Sequence, residues 1–199
     1  MKSQKINRNA LPIAIEQADE MYNHGLQIDI EIQEDLKKDP NNSPLGKMIS
    51  ANVLIGLSIE LYLKSFMIVG RKDGVVYGHN LTDLYKEFPP FLKSAIEEEY
   101  KKVEKSKNAL LVEIGLMTAQ DVPEKPTKEP FDGVDFRDFN QALQAISNTF
   151  VESRYFFEKI NDEDWAFVKY AFETARCIAL SIKNVLNDFR NGRFKDISK

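Results

Sequence analysis

Five side chains have types and surroundings that could carry chemistry: Glu60, Lys64, His79, Arg154 and Tyr155. Among them they can bind charge, move a proton near neutral pH and stack on a base. Glu60 and Lys64 lie four residues apart in ANVLIGLSIELYLKSFMIVG (51–70), a stretch that is otherwise almost wholly apolar. A buried carboxylate is costly unless it is paired, so Glu60 needs a partner. Lys64 is one candidate, at i+4 with the favourable Glu-first order. Arg154 is another, because it falls on the apolar stripe of a later helix. If Glu60 and Arg154 formed a buried pair holding two helices in register, removing one side would cost about 3–5 kcal/mol, and neither residue would need a function. His79 precedes a helix cap, where a residue commonly packs back on the first turn. Tyr155 and Trp165 have core or groove readings, and His24 reads as helix surface.

These residues need elements to hold them. Met48, Val53, Leu54, Ile55, Leu57, Ile59, Leu61, Leu63, Phe66 and Met67 point in nearly every direction around a helix, so residues 44–70 read as a buried central helix. Asn52, Gly56, Glu60 and Lys64 step by four and form one narrow polar or small stripe along it. Before it, Leu11, Ile15, Ala18, Tyr22 and Leu26 predict a helix from about residue 9. Its continuation through Ile28, Ile30 and Ile32 fits strand or helix; helix is favoured, since no pairing strand is evident. DPNNSPLG (39–46) ends it, and GRKDG (70–74) ends the central helix.

Asn80 followed by Asp83 predicts a short helix capped by Asn80, stopped at Pro89-Pro90. A charge-rich helix is expected over about 91–115, with Glu97, Glu98 and Glu99 ahead of Lys101, Lys102 and Lys105 as a solvated face. Residues 118–134 form the one long loop. Asp135 and Asp138 cap a helix whose stripe runs Phe136, Phe139, Leu143, Ile146, Phe150, Arg154 and Phe157. A last helix is expected from Asn161-Asp162, with the seam Val168, Phe172, Ala175, Ala179, Ile182, Leu186 and Phe189. That seam fits antiparallel packing inside a bundle or a dimer contact. The basic tail after Lys183 reads as a frayed terminus or an anion-contacting arm. The class is all-α: an antiparallel bundle of five to six helices in a single domain, 1–199.

Composition narrows the function classes. A chain of 199 residues with 43% hydrophobic and 29% charged residues is ordinary globular protein. A net charge of −4 argues against coating nucleic acid through bulk charge. No uninterrupted apolar run approaches the roughly 20 residues that span a bilayer, so no membrane partner is expected. One cysteine and two histidines leave no structural zinc pattern, and no metal or cofactor is expected. The lone Cys177 fits a reducing cytoplasm. There is no GxSxG, Walker-type loop, HExxH or CxxC.

Three pieces in order, IELYLKS (59–65), GHNLTDL (78–84) and FVESRYF (150–156), resemble the HEPN family (higher eukaryotes and prokaryotes nucleotide-binding domain). The resemblance spans about 51–157. It implies a helical bundle that commonly forms a homodimer and binds nucleotide or RNA. It also implies a nucleotidyltransferase or antitoxin as protein partner, and a place in toxin–antitoxin or phage-defence systems. Ribonuclease members of the family carry R-x(4–6)-H on one helix. There the histidine moves a proton and the arginine stabilises the charged phosphorane, without a metal. Here the residues at that spacing after Arg154 are Lys159, Ile160 and Asn161, and none is histidine.

The expectation is therefore a non-cleaving module binding nucleotide, RNA or a partner through Glu60, Lys64, His79, Arg154 and Tyr155. Two alternatives stay open. One is a metal-independent ribonuclease with a composite site of His79 and Arg154, from one chain or two. The other is an interaction subunit whose polar residues only hold the bundle.

Overall fold

The first two helices form an antiparallel hairpin around which the rest is laid. The computed structural model describes residues 10–39, 44–70, 78–103, 112–117, 131–156, 158 and 165–193. Helix α1 (Ala10–Lys38) is continuous through Ile28, Ile30 and Ile32, and α2 (Leu45–Gly70) returns along it. Three contacts fix their register: Lys47 Nζ with Asp35 at 2.7 Å, Gly25 against Ile55, and the Tyr62 hydroxyl donating to Asp19. A short helix α3 (Leu81–Lys86) and α4 (Pro90–Val103) follow, then α5 (Phe139–Arg154) and α6 (Phe172–Arg190). The architecture is an all-α helical bundle, with six helices among the described residues.

Local chemistry sets the boundaries. Asn80 is the cap of α3, and its Oδ1 accepts from the Asp83 amide at 3.0 Å. Asp138 does the same for α5, accepting from Gln141 N at 2.9 Å. Pro90 opens α4, where its missing N–H costs nothing. The predicted loop at 118–134 lies mostly outside the described residues; Phe131–Gly133 form a turn ahead of α5.

Two helices are shorter than their periodicity suggests. Residues 112–117 form β1 (Val112–Met117), and residues 165–170 form β2 (Trp165–Tyr170). The strands pair antiparallel, Val112 with Tyr170 through Met117 with Trp165. The helix expected over 91–115 therefore ends at Val103, and the last helix starts at Phe172, not near Asn161. Val168 leaves the predicted seam and pairs with Ile114. Between them the strands hold β-branched and aromatic residues that fit a ribbon as readily as a helix.

The rest of the seam is used inside the chain. Phe172, Ala175, Ala179, Ile182 and Leu186 are all buried. The C-terminal end of α6 meets α2 through Phe189 and Phe66, with ring centroids 5.9 Å apart. Its other flank runs antiparallel to α4, where Asn184 donates to Glu99 at 2.9 Å and Cys177 Sγ lies 3.8 Å from the Val103 carbonyl. Glu97 and Glu99 are thus not merely solvated: Glu97 accepts from the Tyr85 hydroxyl at 3.0 Å, and both tie α4 to neighbours.

On length and composition α2 itself passes as a membrane span, Leu45–Ile68 with mean hydropathy 1.4, although no uninterrupted apolar run suggested one. Two-thirds of that window is buried inside the bundle (67%), which accounts for its hydropathy as that of a core helix.

Helix α5 crosses α2 along the stripe of small and polar residues. A Cβ built on Gly56 would lie 2.3 Å from Cδ2 and 2.9 Å from Cβ of Phe150. Neither helix can yield without moving its backbone. Gly56→Ala is therefore expected to lower stability by about 1–3 kcal/mol through overpacking, despite the ~1 kcal/mol that alanine normally adds to a helix. Urea unfolding measures it; an unchanged or raised midpoint would mean the helices do not approach this closely.

Burial, followed by the facing carboxylates of Asp19, Glu97 and Asp29, pushes the hydroxyls of Tyr62, Tyr85 and Tyr170 far above their ordinary range. The unfolded chain releases these protons first as pH passes about 10. Stability should then fall with rising pH, by up to about 1.4 kcal/mol per tyrosine per pH unit. Tyr62→Phe should flatten that fall when urea midpoints are compared across the alkaline range; an unaltered slope would exclude Tyr62 as a contributor.

Candidate functional site

The stripe on α2 organises the polar interior. At its start, Asn52 Nδ2 donates to Ser153 Oγ at 3.1 Å and to the Lys169 carbonyl at 2.8 Å, joining α2 to the end of α5 and to β2. One turn on, Gly56 receives Phe150. One further turn brings Glu60. Since Asn52 meets residue 153 and Gly56 meets residue 150, α5 runs antiparallel to α2. Beyond Phe150, Ser147 Oγ accepts from the Leu81 amide at 3.2 Å and anchors the start of α3. That anchor and the Asn80 cap place His79 over Glu60.

Glu60 is 4% exposed, and its Oε1 takes two contacts. Lys64 Nζ donates to it at 2.7 Å, and His79 Nδ1 lies 2.9 Å from it. An ionised carboxylate can only accept, so with Glu60 ionised Nδ1 donates in this contact, and the neutral form of the ring has its lone pair at Nε2. The His79 side chain is 60% exposed, against 21% for Lys64, so the imidazole spans from a buried anion to solvent. The second oxygen, Oε2, is buried and has no hydrogen-bond partner among the described residues.

Arg154 and Tyr155 are at the other end of the stripe. Ser153, beside them in sequence, contacts Asn52, and eight residues of helix separate Asn52 from Glu60. That is about 12 Å along the axis. The Arg154 guanidinium carbon lies 5.4 Å from the Phe150 ring centroid and 5.6 Å from that of Tyr155, which is 45% exposed. Among the described residues no ion pair joins Arg154 to Glu60, whose partners there are Lys64 and His79. The antiparallel course of α5 is the physical reason. The five expected residues thus divide into a cluster of Glu60, Lys64 and His79 and a separate pair of Arg154 and Tyr155.

A second polar seam, joining α1 to α2, β2 and α6, escaped the sequence pattern. Asp19 accepts from Tyr62 and pairs with Lys183 at 2.8 Å, and Asp29 accepts from Tyr170 at 2.5 Å. Burial raises the Asp29 carboxyl above its usual range, partly opposed by hydrogen bonds from Tyr170 and Gln33. Arg176 is engaged by Glu173 through Nε at 2.7 Å. These residues sat at unremarkable helix positions, and only the pairing of helices brings them together. His24 is exposed, and Cys177 is buried. No cluster of metal-ligating side chains occurs among the described residues. The sequence matches no family model, and no curated protein or solved structure is found to be similar to it.

The division of the five residues has a direct thermodynamic consequence. Lys64→Met removes the main cationic partner of a buried carboxylate and is expected to cost about 3 kcal/mol. Arg154→Ala removes a partly exposed stacking contact and should cost about 1 kcal/mol or less. Urea unfolding of the two variants checks this; equal losses would contradict the division.

Proposed function

We infer that this chain is a HEPN-like module that binds nucleotide or RNA without cleaving it, with Lys64 and His79 on the Glu60 carboxylate as its charged contact point. The observation that carries the reading is the anchored, outward-facing imidazole of His79 beside the Lys64 ammonium. Lys64 and His79 converge there on one buried anion; the Lys64 ammonium keeps N–H donors for a phosphate, and Nε2 of His79 becomes a donor when the imidazole is protonated. The Arg154–Tyr155 pair offers a guanidinium and an exposed ring at the far end of the same stripe, suited to a stacked base. A role in toxin–antitoxin or phage-defence systems, with an antitoxin or nucleotidyltransferase as partner, follows from the resemblance in the IELYLKS, GHNLTDL and FVESRYF pieces.

A second reading is favoured by one feature. With Glu60 ionised and the ring neutral, the Glu60–His79 contact favours the tautomer with Nε2 unprotonated, as a general base requires. A metal-independent ribonuclease would still need a cation at the phosphorane. Within one chain Arg154 is held at the other end of the stripe, so a composite site would draw Arg154 from a second subunit.

Incubating the purified chain with single-stranded and structured RNA in EDTA separates the readings. The non-cleaving reading expects saturable binding, weakened about tenfold or more by His79→Ala, with the RNA left intact. Cleavage abolished by His79→Ala would replace it with the ribonuclease reading. Neither binding nor cleavage would leave the cluster a structural device of the bundle.

A further inference from the structure

On the face where α3 and the start of α4 meet α5, a cleft of about 550 Å³ is lined by residues outside the Glu60 cluster. Its wall on α5 is a row of carboxamides, Gln141, Gln144 and Asn148, all on the exposed side of the helix. Their hydrogen-bonding capacity is only partly used. Gln144 Nε2 donates to Asn148 Oδ1 at 2.9 Å, and Gln141 Oε1 accepts from the Asp135 amide at 3.1 Å. These bonds orient the row and leave the Gln144 oxygen and the amide N–H groups of Gln141 and Asn148 for a ligand.

The opposite wall supplies charge. Lys93 Nζ donates to the Lys86 carbonyl at 2.7 Å and sits 5.7 Å from the centroid of the Tyr85 ring. Neither contact is anionic, and among the described residues the ammonium has no ion-pair partner. Thr82, also in the lining, has a buried hydroxyl with no hydrogen-bond partner among the described residues.

We propose that this cleft binds a small polyhydroxylated molecule bearing one anionic group, phosphate or carboxylate. Hydroxyls both donate and accept, which is what alternating carboxamide oxygens and N–H groups match, and Lys93 receives the anion. A planar base is disfavoured because Tyr85, the one aromatic ring in the lining, is 3% exposed and faced by Lys93. The volume falls in the range of small-molecule sites, about 300–1,000 Å³.

The test is ¹⁵N-labelled full chain titrated with gluconate and with glycerol phosphate, following the side-chain amide signals. Glucose, inorganic phosphate and adenosine monophosphate serve as controls. Saturable shifts at Gln141 and Asn148 with either anionic polyol are expected. Lys93→Ala should weaken them about tenfold or more, and Gln144→Leu, at an exposed position that leaves the fold intact, should abolish them. If only gluconate or only glycerol phosphate binds, the anion is assigned as carboxylate or phosphate and the proposal stands. Absence of saturable shifts with both overturns it. So do equal shifts from inorganic phosphate alone, or stronger shifts from adenosine monophosphate. This binding is read at the side-chain amides of the α5 row, so its outcome is separate from that of the RNA experiment.

Discussion

A single carboxylate buried in an apolar helix sets the terms for this bundle. Glu60 lies in the middle of α2, where water cannot solvate it, and a lone ion there would be untenable. Lys64 answers from one turn along the same helix and His79 from the segment after it. Both must reach the same oxygen, so the start of α3 has little freedom. The Asn80 cap and the bond from Leu81 N to Ser147 supply that rigidity from the backbone side. The site and the α2–α3–α5 junction are thus one construction.

The same stripe that carries Glu60 explains how the helices assemble. Glycine at position 56 lets α5 lie against α2 with Phe150 directly over the backbone. Asn52 then closes the far end by bonding Ser153 and the Lys169 carbonyl. Residues that look like interruptions of an apolar helix are the contact line for another helix. On the other side of α2, α1 approaches with acids that take up the hydroxyl of Tyr62 and, beyond it, that of Tyr170. Large tyrosines can be wholly buried there because each hydroxyl has an acceptor.

Much of the architecture was legible where one strong local signal dominated. The all-round apolarity of 45–70, the Asn80 cap and the Pro89-Pro90 stop are such signals and the helices follow them, and of the Asp135 and Asp138 pair it is Asp138 that caps α5. The Glu60–Lys64 pair was legible too, since helix periodicity alone makes them neighbours. What could not be read was anything decided by the pairing of distant elements. VEIGLM and WAFVKY are consistent with helix until each meets the other as a strand. Arg154 sat on the correct stripe of α5 to meet α2, but the antiparallel register assigns residue 153 to Asn52 and leaves Glu60 to His79. Periodicity identifies a face and carries no information about which end of the facing helix it meets. The carboxamide row on α5 went unnoticed for a similar reason, since exposed Asn and Gln are ordinary until a cleft is seen to form against them.

The most direct test is the tautomer of His79, read from ¹⁵N shifts of the labelled imidazole at about pH 8, where an ordinary histidine is neutral. An ionised Glu60 holding Nδ1–H predicts a protonated Nδ1 and an unprotonated Nε2, the reverse of the form that usually prevails in water. Glu60→Gln should release that preference. Finding Nε2 protonated and Nδ1 bare in the unaltered protein would contradict the account, because the imidazole would then be neither held by Glu60 nor presented as described.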